Sequence, residues 1–140
     1  MKTFDMLDNQ LQPVDFIRLW KDAGWGDIPG DIVETALKNS YATFSVADEG
    51  RVIAMGRLLG DGAMAFFLKD FVVDKAYRGC GIGKALLKHM EDYIRAQLKP
   101  GWKGYLELVS AQGKEAFYEK CGFHLQANDG SGAAMSKWVE

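Results

Sequence analysis

The sequence has 140 residues, of which 48% are hydrophobic and 26% charged, so it is long enough to bury a core and is predicted to be one globular domain over residues 1–140. Its net charge of −2 lacks the basic excess expected of a nucleic-acid-binding protein. The apolar runs are shorter than a bilayer span and the N-terminus lacks a signal-peptide core, so we expect no membrane partner and a cytoplasmic location.

The first half of the chain predicts a strand, two helices and three further strands. Residues 2–7 are expected to form a short strand, and Pro13 suits the start of a helix whose apolar positions continue to Ala23. After the break GWGDIPGD, apolar residues from Ile32 onwards predict a second short helix that ends near Asn39. Three strand-like runs follow, joined by the hairpin-type turns DEG and GDG, at 41–47, 51–59 and 63–73.

The second half begins with the glycine-rich stretch YRGCGIGK. Apolar residues then recur at helical spacing from Ile82 to Gln97, and Pro100-Gly101 ends this amphipathic helix. The remaining elements are predicted to be a strand at 104–109, a helix at 114–121 closed by Gly122, a strand near 123–126, a loop at 128–132 and a strand at 134–139. This order favours an α+β or mixed α/β sheet over regular βαβ repeats.

The glycines of YRGCGIGK alternate at Gly79, Gly81 and Gly83, between a strand and a helix. Glycine lets a ligand approach the main chain, and a helix N-terminus offers free N–H groups and the positive end of the helix dipole. Arg78 and Lys84 add positive charge, so the stretch is either an anion site or a plain turn. Its spacing excludes the dinucleotide motif GxGxxG, and the alanine after Lys84 excludes a P-loop.

The segment from Arg78 to Gly83 resembles the acyl-CoA loop of GNAT-type N-acetyltransferases, whose pattern is Arg/Gln-x-x-Gly-x-Gly/Ala. A second block, AFYEKCGF at 116–123, is similar to the family's FYEKxGF segment and follows in the expected order. With the order of elements, the resemblance covers nearly the whole chain. It implies a GNAT-like acyl-CoA N-acyltransferase fold, with a central, mostly antiparallel sheet, one splayed parallel strand pair and flanking helices.

The resemblance also implies a donor, acetyl-CoA, with CoA as the product. It would lie in the notch where the strand at 63–73 splays from the strand at 104–109. Its pantetheine would pair with main chain around Phe71–Val73, and its pyrophosphate would meet the amides of Gly79–Lys84. The implied donor-binding residues are Phe71, Val72, Val73, Arg78, Gly79, Cys80, Gly81, Ile82, Gly83, Lys84, Ala111, Lys114, Phe117, Tyr118 and Lys120.

One position departs from the family pattern. Many members have an asparagine seven residues before the tyrosine, where it helps to hold the pantetheine, and this chain has Ala111 there. Gln112 or Lys114 could supply that contact. Alternatively, Lys114 and Lys120 could meet the phosphates of the donor.

The resemblance assigns two chemical roles. The phenol of Tyr118 is expected to act as the general acid that protonates the departing CoA thiolate, and the alternative is a packing tyrosine. Asp70 lies in a strand that is apolar apart from Lys69 and is the first candidate for the base that deprotonates the amine. The alternatives are that Asp70 pairs with Arg57 or Lys69, or faces solvent. Glu107 is the second candidate base.

The expected reaction is direct attack of a small-molecule primary amine on the thioester in a ternary complex. Trp25, Tyr41 and Asp129 are candidates for the acceptor pocket, although Trp25 could equally be a core plug between the two helices. A CoA-binding module without turnover, or an enzyme acting on protein N-termini or lysines, are the alternative functions. Homodimers are common in the family, and the sequence shows no interface.

The cysteines and histidines carry weaker signals. Cys80, beside Arg78 at a helix start, makes an acyl-cysteine route conceivable, but a loop that acts through its backbone explains the same position. His89 falls on the apolar stripe of the long helix, so a packed or boundary histidine is expected, and nothing in the sequence suggests a site at His124. Because no Cys, His, Asp or Glu cluster has ligand spacing, we expect no metal.

Overall fold

The computed structural model describes residues 2–128, 130–138 and 140, except for the side chain of Asn128. The chain divides into two compact units, Met1–Leu108 and Val109–Glu140. The helices and strands are β1 Asp5–Asp8, α1 Pro13–Asp22, α2 Gly30–Lys38, β2 Ala42–Asp48, β3 Arg51–Gly60, β4 Ala65–Val73, α3 Ile82–Gln97, β5 Tyr105–Leu108 and α4 Glu115–Lys120. Short 3-10 turns occur at Lys75–Tyr77 and Gln126–Asn128.

The first unit is built on one five-stranded sheet in the order β1-β2-β3-β4-β5. Neighbouring strands are antiparallel except β4 and β5, which are parallel because α3 crosses over between them. The predicted mixed, mostly antiparallel sheet with one parallel pair is therefore confirmed. Its strands match the predicted runs to within a few residues at their ends.

Helices α1 and α2 cover one face of this sheet. The amphipathic pattern that starts at Pro13 turns Phe16 and Leu19 inward, and Val33 does the same on α2. These side chains pack with Met55 of β3 and Val72 of β4 in one buried cluster. The end of β4 is thus fixed from this face by apolar contacts.

Helix α3 covers the other face. Its buried side chains recur at helical spacing, as the sequence predicted, and they are Ile82, Leu86, Leu87, Met90 and Ile94. His89 lies at the boundary of this stripe, where Nε2 is 2.7 Å from Oδ1 of Asp8 and the ring meets Phe44 edge-on. The expectation of a boundary histidine is confirmed.

The second unit contains α4 and an irregular C-terminal stretch. Helix α4 ends as predicted, because Gly122 has a φ of 96° and the N–H of Phe123 donates to the carbonyl of Tyr118 at 3.1 Å. The predicted strand near 123–126 is wrong, since 123–125 are irregular and a 3-10 turn starts at Gln126. The predicted strand at 134–139 is also wrong over the described residues 134–138, which are irregular.

Candidate active site

The parallel strands β4 and β5 separate halfway along β4. Their pairing runs from Ala65 opposite Tyr105 to Leu68 opposite Leu108, whereas β4 continues to Val73. A bulge lies just beyond the last pair, where two β4 residues oppose one β3 residue and Asp70 has a φ of 55°. The bulge thus lies where β4 continues to Val73 without a paired β5 residue.

The last residue of β4 presents its main chain to the open side of this splay. Asp74 donates its backbone N–H to the carbonyl of Ile53 on β3 at 2.7 Å. Because antiparallel partners alternate between bonded and non-bonded pairs, the N–H and C=O of Val73 point away from β3. Nε of Arg78 lies 3.4 Å from the Val73 carbonyl oxygen on that side.

The glycine loop joins this strand end to α3. Gly79 and Gly81 have φ angles of 78° and 79°, a left-handed conformation that side chains rarely adopt. Gly81 is the N-cap of α3 and carries no side chain to cap the first turn, so the N–H groups that start the helix lack a side-chain acceptor from that position. A Cβ added at Gly79 or Gly81 would have no atom within 4 Å, so the loop surface is open there.

The charged residues of the loop are exposed. Arg78 and Lys84 stand on either side of the glycines, and Cys80 is also exposed, with Sγ 3.9 Å from the carbonyl of Arg78. Ile82 is buried and fixes the first turn of α3 to the sheet. The loop therefore combines open backbone, a helix N-terminus and two cations within one unit.

Asp70 forms an ion pair on the α1/α2 side of the sheet. Its Oδ2 accepts a hydrogen bond from Nε of Arg57 at 2.5 Å, and the two side chains are only 9% and 14% exposed. Nη1 of Arg57 also donates to Oγ of Ser40 at 3.3 Å, and that hydroxyl donates to the carbonyl of Ala36. Of the alternative partners, Arg57 is the one observed, because Lys69 lies over the ring of Phe67.

Removing the charge of Asp70 is expected to destabilise the fold. Asp70→Asn keeps a residue that tolerates the positive φ but leaves the Arg57 guanidinium unpaired in a mostly buried position. We expect a loss of about 3 kcal/mol in the free energy of unfolding, measured by urea denaturation. The control, Lys88→Met, breaks an exposed pair with Asp92 and should change stability by less than about 0.5 kcal/mol. Equal stability of Asp70→Asn and the wild type would contradict a stabilising pair.

Glu107, the second candidate base, lies on β5 opposite Phe67 and is half-buried. It precedes Leu108, the last β5 residue paired with β4. Glu107 and Asp70 thus lie on neighbouring strands near the point where these separate.

The candidate acceptor residues differ in their surroundings. Trp25 is 41% exposed and meets Trp20 edge-on, with ring centroids 5.0 Å apart, so it packs on α1 while keeping one face open. Tyr41 packs edge-on against Phe66 and Tyr93, and burial together with the charge of Tyr93 raises the pKa of its phenol. Asp129 lies outside the described residues.

In the second unit, Tyr118 lies on α4 between two aromatic rings. Its ring centroid is 5.1 Å from that of Phe117 and 5.9 Å from that of Phe123. Burial, and to a smaller extent the charge of Cys121, raises the pKa of Tyr118 to about 12. The phenol therefore stays protonated throughout the neutral range.

The other residues of this unit that are predicted to bind acetyl-CoA lie before α4 and at its end. Ala111 is exposed, and its carbonyl accepts the N–H of Lys114 at 3.0 Å. The carbonyl of Lys114 accepts the N–H of Phe117, so Lys114 is tied into the start of the helix. The side chains of Lys114 and Lys120 are exposed.

A family model described as the acetyltransferase (GNAT) domain matches residues 39–125. The chain belongs to the GNAT family of acetyltransferases. The matched range includes the splayed strands, the glycine loop and α4.

Relatives of this GNAT chain include two soybean (Glycine max) proteins. One, described as the probable acetyltransferase TAP2, is 34% identical over an alignment of 113 residues that covers 73% of this chain and 44% of the relative. The other, described as the histone acetyltransferase TAP1, is 33% identical over an alignment of 120 residues that covers 78% of this chain and 50% of the relative. The chain therefore spans about half the length of these curated relatives.

Solved structures share the GNAT fold over nearly the whole chain. A Staphylococcus aureus protein described as a probable acetyltransferase has a TM-score of 0.81 at 26% identity, covering 96% of this chain and 100% of its own. A GNAT-family acetyltransferase from Streptococcus pneumoniae has a TM-score of 0.79 at 21% identity, covering 99% and 98%. Glucosamine-6-phosphate N-acetyltransferase from Arabidopsis thaliana has a TM-score of 0.69 at 20% identity, covering 99% and 100%, and at that identity it supports the fold alone.

Neither a metal centre nor a membrane span is found in the described part of this GNAT chain. Among residues 2–128, 130–138 and 140, no three His, Cys, Asp or Glu side chains are grouped to hold an ion. In the same residues, no helix is long and apolar enough to cross a bilayer.

Two contacts near the candidate site were not predicted from the sequence. Ser40 joins the Arg57–Asp70 pair, and Tyr77, directly before the loop, donates to Asp48 of β2. Tyr77 could have been identified as a candidate from the sequence, because it directly precedes the glycine motif. The other partners are distant in sequence, and nothing local marks them.

Proposed function

We propose that the chain is an acetyl-CoA-dependent N-acetyltransferase, a single domain over residues 1–140, that transfers an acetyl group to a primary amine of a small molecule. The observation that carries this proposal is the end of β4. There an outward-facing main chain at Val73 leads directly into the open glycine loop and the start of α3. Acetyl-CoA carries pantetheine amides and a pyrophosphate. Its binding therefore needs a strand edge with unpaired main-chain groups for the amides, and backbone N–H donors for the phosphates.

The donor is held mainly by main chain. The outward N–H of Val73 is the proposed donor to the thioester oxygen, where negative charge develops when the amine attacks. The amides of Gly79–Lys84, with Arg78 and Lys84, are proposed to bind the pyrophosphate. The open space at Gly81 supports this role, because a phosphate could approach the backbone there without meeting a side chain.

Tyr118 is the proposed donor to the leaving sulfur. With a pKa of about 12 it is a phenol at neutral pH, but it is a weaker acid than an ordinary thiol of pKa about 8.5. Tyr118 is therefore proposed to act through a hydrogen bond to the sulfur while negative charge develops there. Burial of the thiolate raises the pKa of the CoA thiol, so the difference from the pKa of Tyr118 becomes smaller and full proton transfer becomes easier.

Asp70 is the proposed base. The ion pair with Arg57 holds the carboxylate of Asp70 on the α1/α2 side of β4. The amine has to lose a proton before its nitrogen can attack, and Asp70 would take that proton directly or through water. Glu107 is the second candidate for this step.

A protein N-terminus or lysine is the second candidate acceptor, because one relative with 33% identity is described as a histone acetyltransferase. Trp25, Tyr41 and Asp129 stay the proposed candidates for binding a small amine. A CoA-binding module without turnover is the remaining alternative. We also propose a cytoplasmic location. A homodimer is compatible with the proposed function.

Thiol release from acetyl-CoA tests the proposal. The purified protein is incubated with acetyl-CoA and a panel of amines, amino acids, polyamines, aminoglycosides and lysine-containing peptides, and free thiol is followed with time. We expect release that depends on one class of small amine, at more than about tenfold the rate without acceptor. Faster release with peptides would favour the protein-directed function. CoA binding by calorimetry without any turnover would favour the binding module.

A further inference from the structure

Tyr77, the residue directly before the glycine loop, is tied to a distant part of the sheet. It ends the 3-10 turn Lys75–Tyr77, and its hydroxyl donates to Oδ2 of Asp48 at 2.5 Å. The ring of Phe4 meets the Tyr77 ring edge-on at 6.0 Å between centroids. The chain that enters the loop is therefore held by the end of the β2–β3 hairpin.

Asp48 is well placed to accept this bond. Its side chain is only 7% exposed, and Nζ of Lys2 lies 3.0 Å from the same Oδ2. The hydrogen bonds from Tyr77 and Lys2 hold the pKa of Asp48 below its usual range, and the bond to Asp48 raises the pKa of Tyr77. The phenol thus donates to an ionised carboxylate, and such charge-assisted bonds are stronger than neutral ones.

The start of the same turn is held by a second carboxylate. The side chain of Asp74 accepts the N–H of Ala76 at 2.9 Å and lies 3.9 Å from Arg18 and 3.7 Å from Arg51. Both ends of the turn are therefore anchored. The loop beyond it contains Gly79 and Gly81, which have no side chains to fix them, so its position depends on Tyr77 and Arg78 at one end and on α3 at the other.

We propose that Tyr77 and Asp48 form a positioning pair that holds the glycine loop in the conformation that binds the donor's pyrophosphate. This inference rests on the proposed function. The pair does not touch the donor and acts only through the backbone of the loop. Without the bond, the loop occupies its binding conformation for a smaller fraction of the time, and the apparent Kd for CoA rises by the inverse of that fraction.

The substitutions Tyr77→Phe and Asp48→Asn test the pair. Calorimetry with CoA should give a Kd about tenfold higher for Tyr77→Phe, which removes the hydrogen bond. Asp48→Asn should give a smaller rise, because its amide oxygen still accepts the bond but without the charge, and the double variant should match Tyr77→Phe. With acetyl-CoA and an active amine, KM for acetyl-CoA should rise similarly. The kcat and the KM for the amine should stay within about twofold of the wild type. A purely structural role would lower the thermal midpoint without this selective rise.

Asp92→Asn is the matched control, since Asp92 is an exposed carboxylate of α3 that pairs with Lys88 and Arg95. It should leave the Kd for CoA unchanged. The inference is overturned if Tyr77→Phe binds CoA as tightly as the wild type, or if the effects of the two substitutions multiply. Should Asp48→Asn fail to fold, Tyr77→Phe alone decides. Failure of the wild type to bind CoA would instead refute the proposed function.

Discussion

Tyr118→Phe is expected to lower kcat for acetyl transfer by about 100-fold, because it removes the hydrogen bond to the departing sulfur and general-acid catalysis of this kind contributes at least that much. The ring packing with Phe117 and Phe123 is retained, so KM for acetyl-CoA should change by less than about threefold. Thiol release at saturating substrates measures the change. Since burial raises the pKa of Tyr118 to about 12, its phenol should cause no loss of rate between neutral and mildly alkaline pH.

The matched control is Tyr105→Phe, which removes the hydroxyl of a half-exposed tyrosine on β5. It should leave kcat within about twofold of the wild type. If Tyr118→Phe turns over acetyl-CoA at the full rate, Tyr118 is not the group that assists the leaving thiolate. The proposed acetyltransferase activity would stand without it.

Gly81→Ala is expected to weaken CoA binding by at least about tenfold. A methyl group there has no protein atom within 4 Å, so it would stand in the open space that the pyrophosphate is proposed to occupy. The φ of 79° adds strain of about 1 kcal/mol, which lowers stability as well. Calorimetry with CoA gives the affinity, and urea denaturation gives the stability.

Gly101→Ala separates these two effects. Gly101 has a φ of 84° and also has no atom within 4 Å of an added Cβ, but it follows the C-terminal end of α3. It should show the same loss of stability with unchanged CoA affinity. Equal CoA affinities of Gly81→Ala and the wild type would mean that the loop does not hold the phosphates through its backbone.

Elements whose signals are local were predictable from the sequence. Helix α3 was found from its apolar spacing, α1 from its proline and apolar face, and the end of α4 from Gly122. In each case, the residues that decide the structure lie within a few positions of one another. The glycine loop was predictable for the same reason, because glycines that need positive φ sit directly before the helix.

The two C-terminal strands were predicted wrongly because a strand needs a partner. Residues 123–126 and 134–138 each contain apolar and aromatic residues, but neither segment belongs to the five-stranded sheet of the described residues. A strand's hydrogen bonds come from another segment, so composition indicates only a capacity to pair. No local pattern reports whether that capacity is used.

The surroundings of Asp70 could be predicted from the sequence only in part. The sequence indicated that a carboxylate in an apolar strand needs a partner, and it left Arg57, Lys69 and solvent open. The bulge between β3 and β4 decided the choice, because it changes which side chains share a face. The register of β3 and β4 also determines that the N–H and C=O of Val73 point away from β3.

The sequence by itself determined the family, the order of most elements and the glycine loop, because these depend on residues close together in the chain. Only the tertiary structure decided which distant side chains meet: Tyr77 with Asp48, and Asp70 with Arg57 and Ser40. Such contacts depend on strand register and helix packing, and a shift of one residue in a strand would turn each side chain to the opposite face of the sheet.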